Sequence, residues 1–127
     1  MDPRELIAND RYATDAGIRL VSCGGGEAVL EVTLTERHLN ADGFAQGGLI
    51  FTLADTAFAV AVNEKGKRDT VTLTSTANYI RPVSTGTLTA KATTVSRGRS
   101  TCCVDVLVTN DAGKAVAKLQ FTGFTKE

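Results

Sequence analysis

Residues 47–64 read GGLIFTLADTAFAVAVNE, and the fold turns on them. Leu49, Ile50, Phe51, Leu53, Ala54, Ala57, Phe58, Ala59, Val60, Ala61 and Val62 leave no polar face when wound at 3.6 residues per turn. The spacing predicts a long helix from Gly47 to about Glu64, ended by Gly66. A helix that is apolar all round is a helix buried on all sides. Interrupted by Thr52, Asp55 and Thr56, the run is too short and too polar to span a bilayer.

What could bury it lies on either side. Beyond the helix the chain reads as strand throughout. Val71 to Ile80 is threonine-rich and alternating and stops at Pro82. Leu88 to Ser96 follows, then a turn at Arg97-Gly98-Arg99, a run from Ser100 to Thr109, a turn at Asn110-Asp111-Ala112-Gly113, and a last run from Lys114 to Phe124. Upstream, Asp2, Pro3 and Glu5 form a helix-start signal for a short helix to about Ala16, with Leu6, Ile7 and Tyr12 as its apolar side. After a turn at Gly24-Gly25-Gly26, Ala28, Leu30, Val32 and Leu34 alternate with Glu31, Thr33 and Thr35, the period of a strand with one wet face. Residues 37–46 read as loop. Five strands and one greasy helix predict an α+β domain, residues 1–127 as a single unit, in which one curved antiparallel sheet wraps around the central helix.

Composition bounds the function. With 127 residues, 43% of them hydrophobic and 22% charged, the chain suits one globular domain. Fourteen basic residues balance fourteen acidic ones without a dense basic run, which argues against nucleic acid or an anionic membrane as the main partner. The start, Met1-Asp2-Pro3-Arg4-Glu5, carries no signal-peptide pattern, and three cysteines with adjacent Cys102 and Cys103 read as reduced thiols of a cytoplasmic protein. One histidine and no paired-cysteine spacing offer no metal site.

Two features carry chemistry. Asp55 lies eight residues inside the greasy helix, too deep to cap it. A carboxylate buried there would shift its pKa upward, either within a structural ion pair or as a reactive group in a cleft. Gly47 and Gly48, at the helix start, expose the unpaired N–H groups of the first turn, either as a tight loop-to-helix turn or as a site for an oxyanion. At 1.5 Å per residue the two features stand about 12 Å apart along the axis. They cannot easily act on one carbonyl within one chain. A two-fold dimer with adjacent antiparallel helices would bring Asp55 of one subunit to Gly47 of the other.

The segment His38-Leu39-Asn40, Gln46-Gly47-Gly48-Leu49 and Leu53-Ala54-Asp55-Thr56-Ala57-Phe58-Ala59 resembles the hotdog-fold thioesterases, and within them the phenylacetate-degradation (PaaI-type) branch. Asn9-Asp10-Arg11-Tyr12 with Gly17-Ile18, and Tyr79-Ile80-Arg81-Pro82 with Gly86-Thr87-Leu88, resemble the same branch. The resemblance implies a helix wrapped by a sheet, homodimers paired into homotetramers, and hydrolysis of acyl-CoA thioesters, with coenzyme A as part of the substrate and no cofactor. It matches Asp55 to the acidic catalyst, Asn40 to a polar residue near the water or the substrate carbonyl, and Gly47 to the backbone donor for the thioester oxygen. A hydroxyl on the strand after the helix assists in some members, a place open to Thr72 or Thr74. Gly48 and Pro82 fall among the substrate-binding positions. Arg81, Arg97, Arg99 and Ser100 match positions near the CoA nucleotide, where arginine suits phosphate.

One departure stands out. The branch usually has histidine before the two glycines, where this chain has Gln46, a hydrogen-bond donor that carries no proton near neutral pH. His38 reads as a positioning or surface residue. The expected reaction is hydrolysis of aryl-acetyl or short- to medium-chain acyl-CoA, with Asp55 as general base or nucleophile. The alternative is a non-catalytic acyl-CoA-binding protein on the same fold. A dehydratase ranks lower, because no histidine follows His38.

Overall fold

Six strands, not five, curve around the long helix. The computed structural model of the chain describes residues 2–63 and 69–126. Its elements are α1 (Pro3–Asn9), α2 (Arg11–Asp15), β1 (Arg19–Gly24), β2 (Glu27–Thr33), α3 (Gly47–Val62), β3 (Thr70–Tyr79), β4 (Thr87–Arg97), β5 (Thr101–Thr109) and β6 (Ala115–Thr125). They form one antiparallel sheet in the order β1-β2-β4-β5-β6-β3. The strand missing from the sequence reading is β1. It is an edge strand, exposed along nearly its whole length, so its side chains show no alternation. Its hairpin with β2 turns at Gly25 and Gly26, with φ of +64° and +81°, the left-handed pair that a two-residue hairpin of this hand requires.

The N-terminal helix is also two helices. The Asp2 side chain accepts from Glu5 N (2.9 Å) to start α1, and the Asp10 side chain accepts from Ala13 N (3.0 Å) to start α2. Breaking the helix at Asp10 changes its face. Leu6, Ile7 and Ala13 are buried, whereas Tyr12, expected on the apolar side, is 74% exposed.

The core lies between α3 and the concave face of the sheet. Ala28, Leu30 and Val32 of β2, Leu88, Ala90 and Ala92 of β4, Val104, Val106 and Val108 of β5, and Leu119 and Phe121 of β6 all point inward. Phe58 stacks on Phe121 at 5.2 Å between ring centroids, and Phe51 meets the same ring at 5.6 Å. Gly123 makes this close approach possible: a Cβ there would stand 2.8 Å from the Phe58 ring and 2.9 Å from Cys102 Sγ.

Burial of α3 is incomplete. Phe51, Thr52, Asp55 and Ala59 are only half-buried, and their spacing of one helical turn makes them one stripe. Hydrophobicity all round therefore marks a helix that the sheet does not finish covering. The stripe lies beside β3, the second sheet edge, whose ten residues leave Val71, Leu73 and Tyr79 exposed.

The described part of α3 ends at Val62, with Asn63 as its C-cap; the expected end at Glu64 and Gly66 lies outside the described residues. Asn63 Nδ2 donates to Ala59 O (3.0 Å) and Thr70 O (3.2 Å), and Thr70 N donates back to Asn63 Oδ1 (3.2 Å). Arg97 Nη1 donates to Val62 O (2.9 Å) and Nη2 to Thr70 Oγ1 (3.1 Å). Among the described residues no helix is long and apolar enough to cross a membrane.

Candidate active site

Asp55 sits in the half-covered stripe of α3, facing β3. Its Oδ1 accepts from Thr72 Oγ1 at 3.1 Å. Burial pushes the carboxyl above the ordinary aspartate range, the Thr72 hydroxyl pulls it back in part, and the charge of Asp10 pushes it up again. Among the described residues no cation offsets these effects and none pairs with Asp55, whereas Arg19 and Glu31 do form an ion pair at 3.0 Å. The arrangement is that of a carboxylate made more basic while one of its oxygens is held in place.

A bulge in β3 selects the threonine. Thr72 pairs with Gly123 and Thr74 with Thr122, so Leu73 is an extra residue on the β3 side. Gly123 faces the core, and Thr72 with it. Thr122 faces outward, and Thr74 Oγ1 lies 2.6 Å from Thr122 Oγ1. Thr74 therefore drops out as a partner for Asp55: it is on the far side of the sheet.

The N-terminus of α3 is left open. Leu49 N (2.9 Å) and Ile50 N (3.2 Å) both donate to Gln46 O, whereas the N–H groups of Gly47 and Gly48 have no acceptor among the described residues. Gly47 borders a cleft of about 280 Å³ with Asn40, Tyr79, Arg81 and Pro82. The 40–46 loop is tied to the far wall of that cleft through Ala45 N to Val83 O (2.7 Å). Asn40 Oδ1 accepts from Asp42 N (2.9 Å) and Phe44 N (3.1 Å), which commits its oxygen to the loop and leaves its Nδ2 group as a donor. Asn40 can thus support an oxygen or a water but has no acceptor to spare for activating one.

On its other side the helix start borders a second cleft, of about 310 Å³, lined by Tyr12, Asp15, Arg37, His38, Gln46 and Gly48. Gln46 is exposed and its side chain does not cap α3. His38 is 7% exposed, and both ring nitrogens are used: Nδ1 accepts from Thr35 N (2.9 Å), so Nε2 donates to Ala16 O (2.7 Å). It is a strut between the loop and α2, with no nitrogen left for proton transfer.

The expected nucleotide contacts divide between two places. Arg81 and Pro82 join the Gly47 cleft. Arg97, Arg99 and Ser100 lie at the β4–β5 turn, near the C-terminal end of α3, where Arg97 already spends two donors on Val62 O and Thr70 Oγ1. A cavity of about 560 Å³ is at this end, bordered by Val62, Asn63, Asp69, Ser96 and Arg97. The sequence reading missed two residues. Asp10 acts through its charge on Asp55, which no local pattern announces. Tyr79 meets Gly47: its Oη donates to Gly47 O at 3.1 Å. Its only signal was its position immediately before Ile80-Arg81-Pro82.

Residues 42–117 match the family model described as Thioesterase superfamily. The chain is 39% identical over 113 residues to the acyl-coenzyme A thioesterase PaaI of Escherichia coli K12, covering 88% of this chain and 80% of that one. The solved structure of the E. coli PaaI protein superposes with a TM-score of 0.90, over 97% of this chain and 89% of that chain, at 32% identity. A Streptococcus mutans protein solved with acetyl-CoA bound superposes with a TM-score of 0.81 at 37% identity, over 86% and 88% of the two chains. An antiparallel sheet around one long helix, an acidic residue on that helix's open stripe and these similarities agree: the chain belongs to the thioesterase superfamily and is a hotdog-fold thioester hydrolase of the PaaI-type branch.

Proposed function

We propose that the protein hydrolyses acyl-CoA thioesters, of the aryl-acetyl or short- to medium-chain class, to the free acid and CoA. The observation that carries this reading is Asp55, a carboxyl of raised basicity held by Thr72 on the one stripe of α3 left half-open. The thioesterase activity named for the E. coli relative and the acetyl-CoA in the S. mutans structure support the substrate class.

The site forms across a dimer. β3 is a ten-residue edge strand with exposed Val71 and Leu73, beside the uncovered stripe of α3. An edge this long and apolar calls for a cover. Two copies related by a two-fold axis near the middle of β3 would pair their edges antiparallel and bring the two α3 helices side by side. That cancels the separation of about 12 Å between Asp55 and Gly47, because each Asp55 then faces the partner's Gly47. Two such dimers form the tetramer.

The chemistry follows. The thioester carbonyl accepts from the Gly47 N–H, and Asn40 Nδ2 donates to the same oxygen or to the attacking water. Ionised Asp55 takes a proton from water as the water's oxygen bonds to the carbonyl carbon, or attacks that carbon itself to give an anhydride that water cleaves. Collapse of the tetrahedral intermediate breaks the carbon–sulfur bond and releases the CoA thiolate. Arg81, Arg99 and Ser100, with the remaining donors of Arg97, hold the CoA phosphates. The three thiols suit the reducing cytoplasm.

A thiol-release assay over a panel of acyl-CoAs is the first test; no hydrolysis of any of them would leave an acyl-CoA-binding protein. Asp55→Asn should lose about 10³-fold or more in kcat while still binding CoA. The dimer is tested by mixing two impaired chains. Asp55→Asn combined with Gly47→Pro leaves one intact site in each mixed dimer, so re-association should restore about a quarter of wild-type activity. No recovery, with mixed dimers present, would refute the shared site.

A further inference from the structure

We propose that Tyr79 is a positioning residue that makes Gly48, beside Gly47, a second N–H donor to the thioester oxygen. This rests on the function proposed above. A peptide N–H is only as well aimed as its peptide plane, and that plane is held at its carbonyl end. The Gly47 N–H shares its plane with Gln46 O, which accepts from Leu49 N and Ile50 N and is thereby fixed by the helix itself. The Gly48 N–H shares its plane with Gly47 O. That oxygen takes its place in the helix ladder and in addition accepts the Tyr79 hydroxyl at 3.1 Å, a bond delivered from the end of β3 that fixes the plane from a second direction. A hydrogen bond to the carbonyl also draws electron density from the amide and strengthens its N–H as a donor.

The phenol is well placed to do this. Tyr79 pairs with buried Ala117, so its side chain turns to the helix face of the sheet. Just beyond it, Ile80 N (2.8 Å) and Arg81 N (3.2 Å) both donate to Val116 O, which anchors the backbone. Its ring carbons lie 3.5 and 3.6 Å from where a Gly47 Cβ would sit, so the ring stands against the first helical residue. Yet Tyr79 is 52% exposed and contributes little to the core. Thr52 provides an internal comparison. Its hydroxyl donates to Gly48 O at 2.8 Å, and the N–H in that plane belongs to Leu49, which is already bonded to Gln46 O. Both hydroxyls secure the first turn, but only that of Tyr79 secures the plane of an unspent N–H.

The test is Tyr79→Phe, beside Thr52→Val, in the full-length protein. Losing a direct oxyanion donor costs about 10²–10³ in turnover, so loosening one through its peptide should lower kcat about tenfold and leave KM within about twofold. The Gly48 amide proton should move upfield in the NMR spectrum, while Thr52→Val keeps kcat within about twofold of wild type. Wild-type kcat in Tyr79→Phe, a KM that rises in step with the loss, an unmoved Gly48 amide, or an equal loss in Thr52→Val would each overturn the proposal. If the wild type releases CoA and Asp55→Asn does not, those results count against Tyr79 alone. If the wild type turns over no acyl-CoA, the function and this proposal fall together.

Discussion

The two ends of α3 are built to opposite rules. At the C-terminal end, Asn63 and Arg97 donate to two carbonyls of the last turn, those of Ala59 and Val62, and Thr70 joins both. A cation there also meets the negative end of the helix dipole. At the N-terminal end, Gln46 gives no side-chain cap, and Gly47 and Gly48 border clefts with N–H groups that have no acceptor among the described residues. Helices rarely leave such donors without a cap when a single serine or aspartate would provide one. α1 and α2, in the same chain, both have an aspartate there. The difference teaches where stability stops being the design criterion: one end of α3 is closed to hold the fold, and the other is left uncapped, as the oxyanion role proposed above requires.

Gly47→Pro strikes the open end hardest. Gln46 already has φ −61° and ψ 133°, the conformation a residue before proline adopts, and proline is welcome at the first helical position. The variant should fold with a near-normal thermal midpoint and lose about 10²–10³ in kcat, read by thiol release and by thermal unfolding. A fall in stability of similar weight would break the comparison. At the closed end the signs reverse. Arg97→Met should cost about 1–2 kcal/mol of stability by denaturant titration, with kcat at saturating acyl-CoA within about twofold of wild type. The smallest effect lies between the ends. In the proposed mechanism ionised Asp55 is the reactive form, so activity should fall as pH drops through its raised pKa. Thr72 lowers that pKa; Thr72→Val should therefore move the acid limb of kcat/KM to higher pH, and a limb moving to lower pH would count against the assigned roles.

The long helix was legible because eleven apolar residues in sixteen admit no other reading, and β2 through their strict alternation. Asp55 was legible as an anomaly within that helix. β1 was not, since an exposed edge strand needs no pattern to bury. Nor was the open stripe of α3: Phe51 and Ala59 are apolar in either case, and only the sheet's extent decides which residues it leaves uncovered. The choice between Thr72 and Thr74 also lay beyond reach, because a bulge is an event between two strands and β6 supplies half of it. Tyr79 read as one more residue of the strand that stops at Pro82, and its bond to Gly47 spans thirty-two positions of chain.

The extra residue at Leu73 is a matter of parity. Thr72 and Tyr79 are seven positions apart, an odd number, and a regular strand would send them to opposite faces of the sheet. One of the two would then have to abandon the helix: the threonine its carboxyl, or the tyrosine its glycine. The inserted residue restores even phase between them, so a single strand reaches both the Asp55 carboxyl and the Gly47 carbonyl. Removing one residue at that point would leave the composition of the site intact and take it apart.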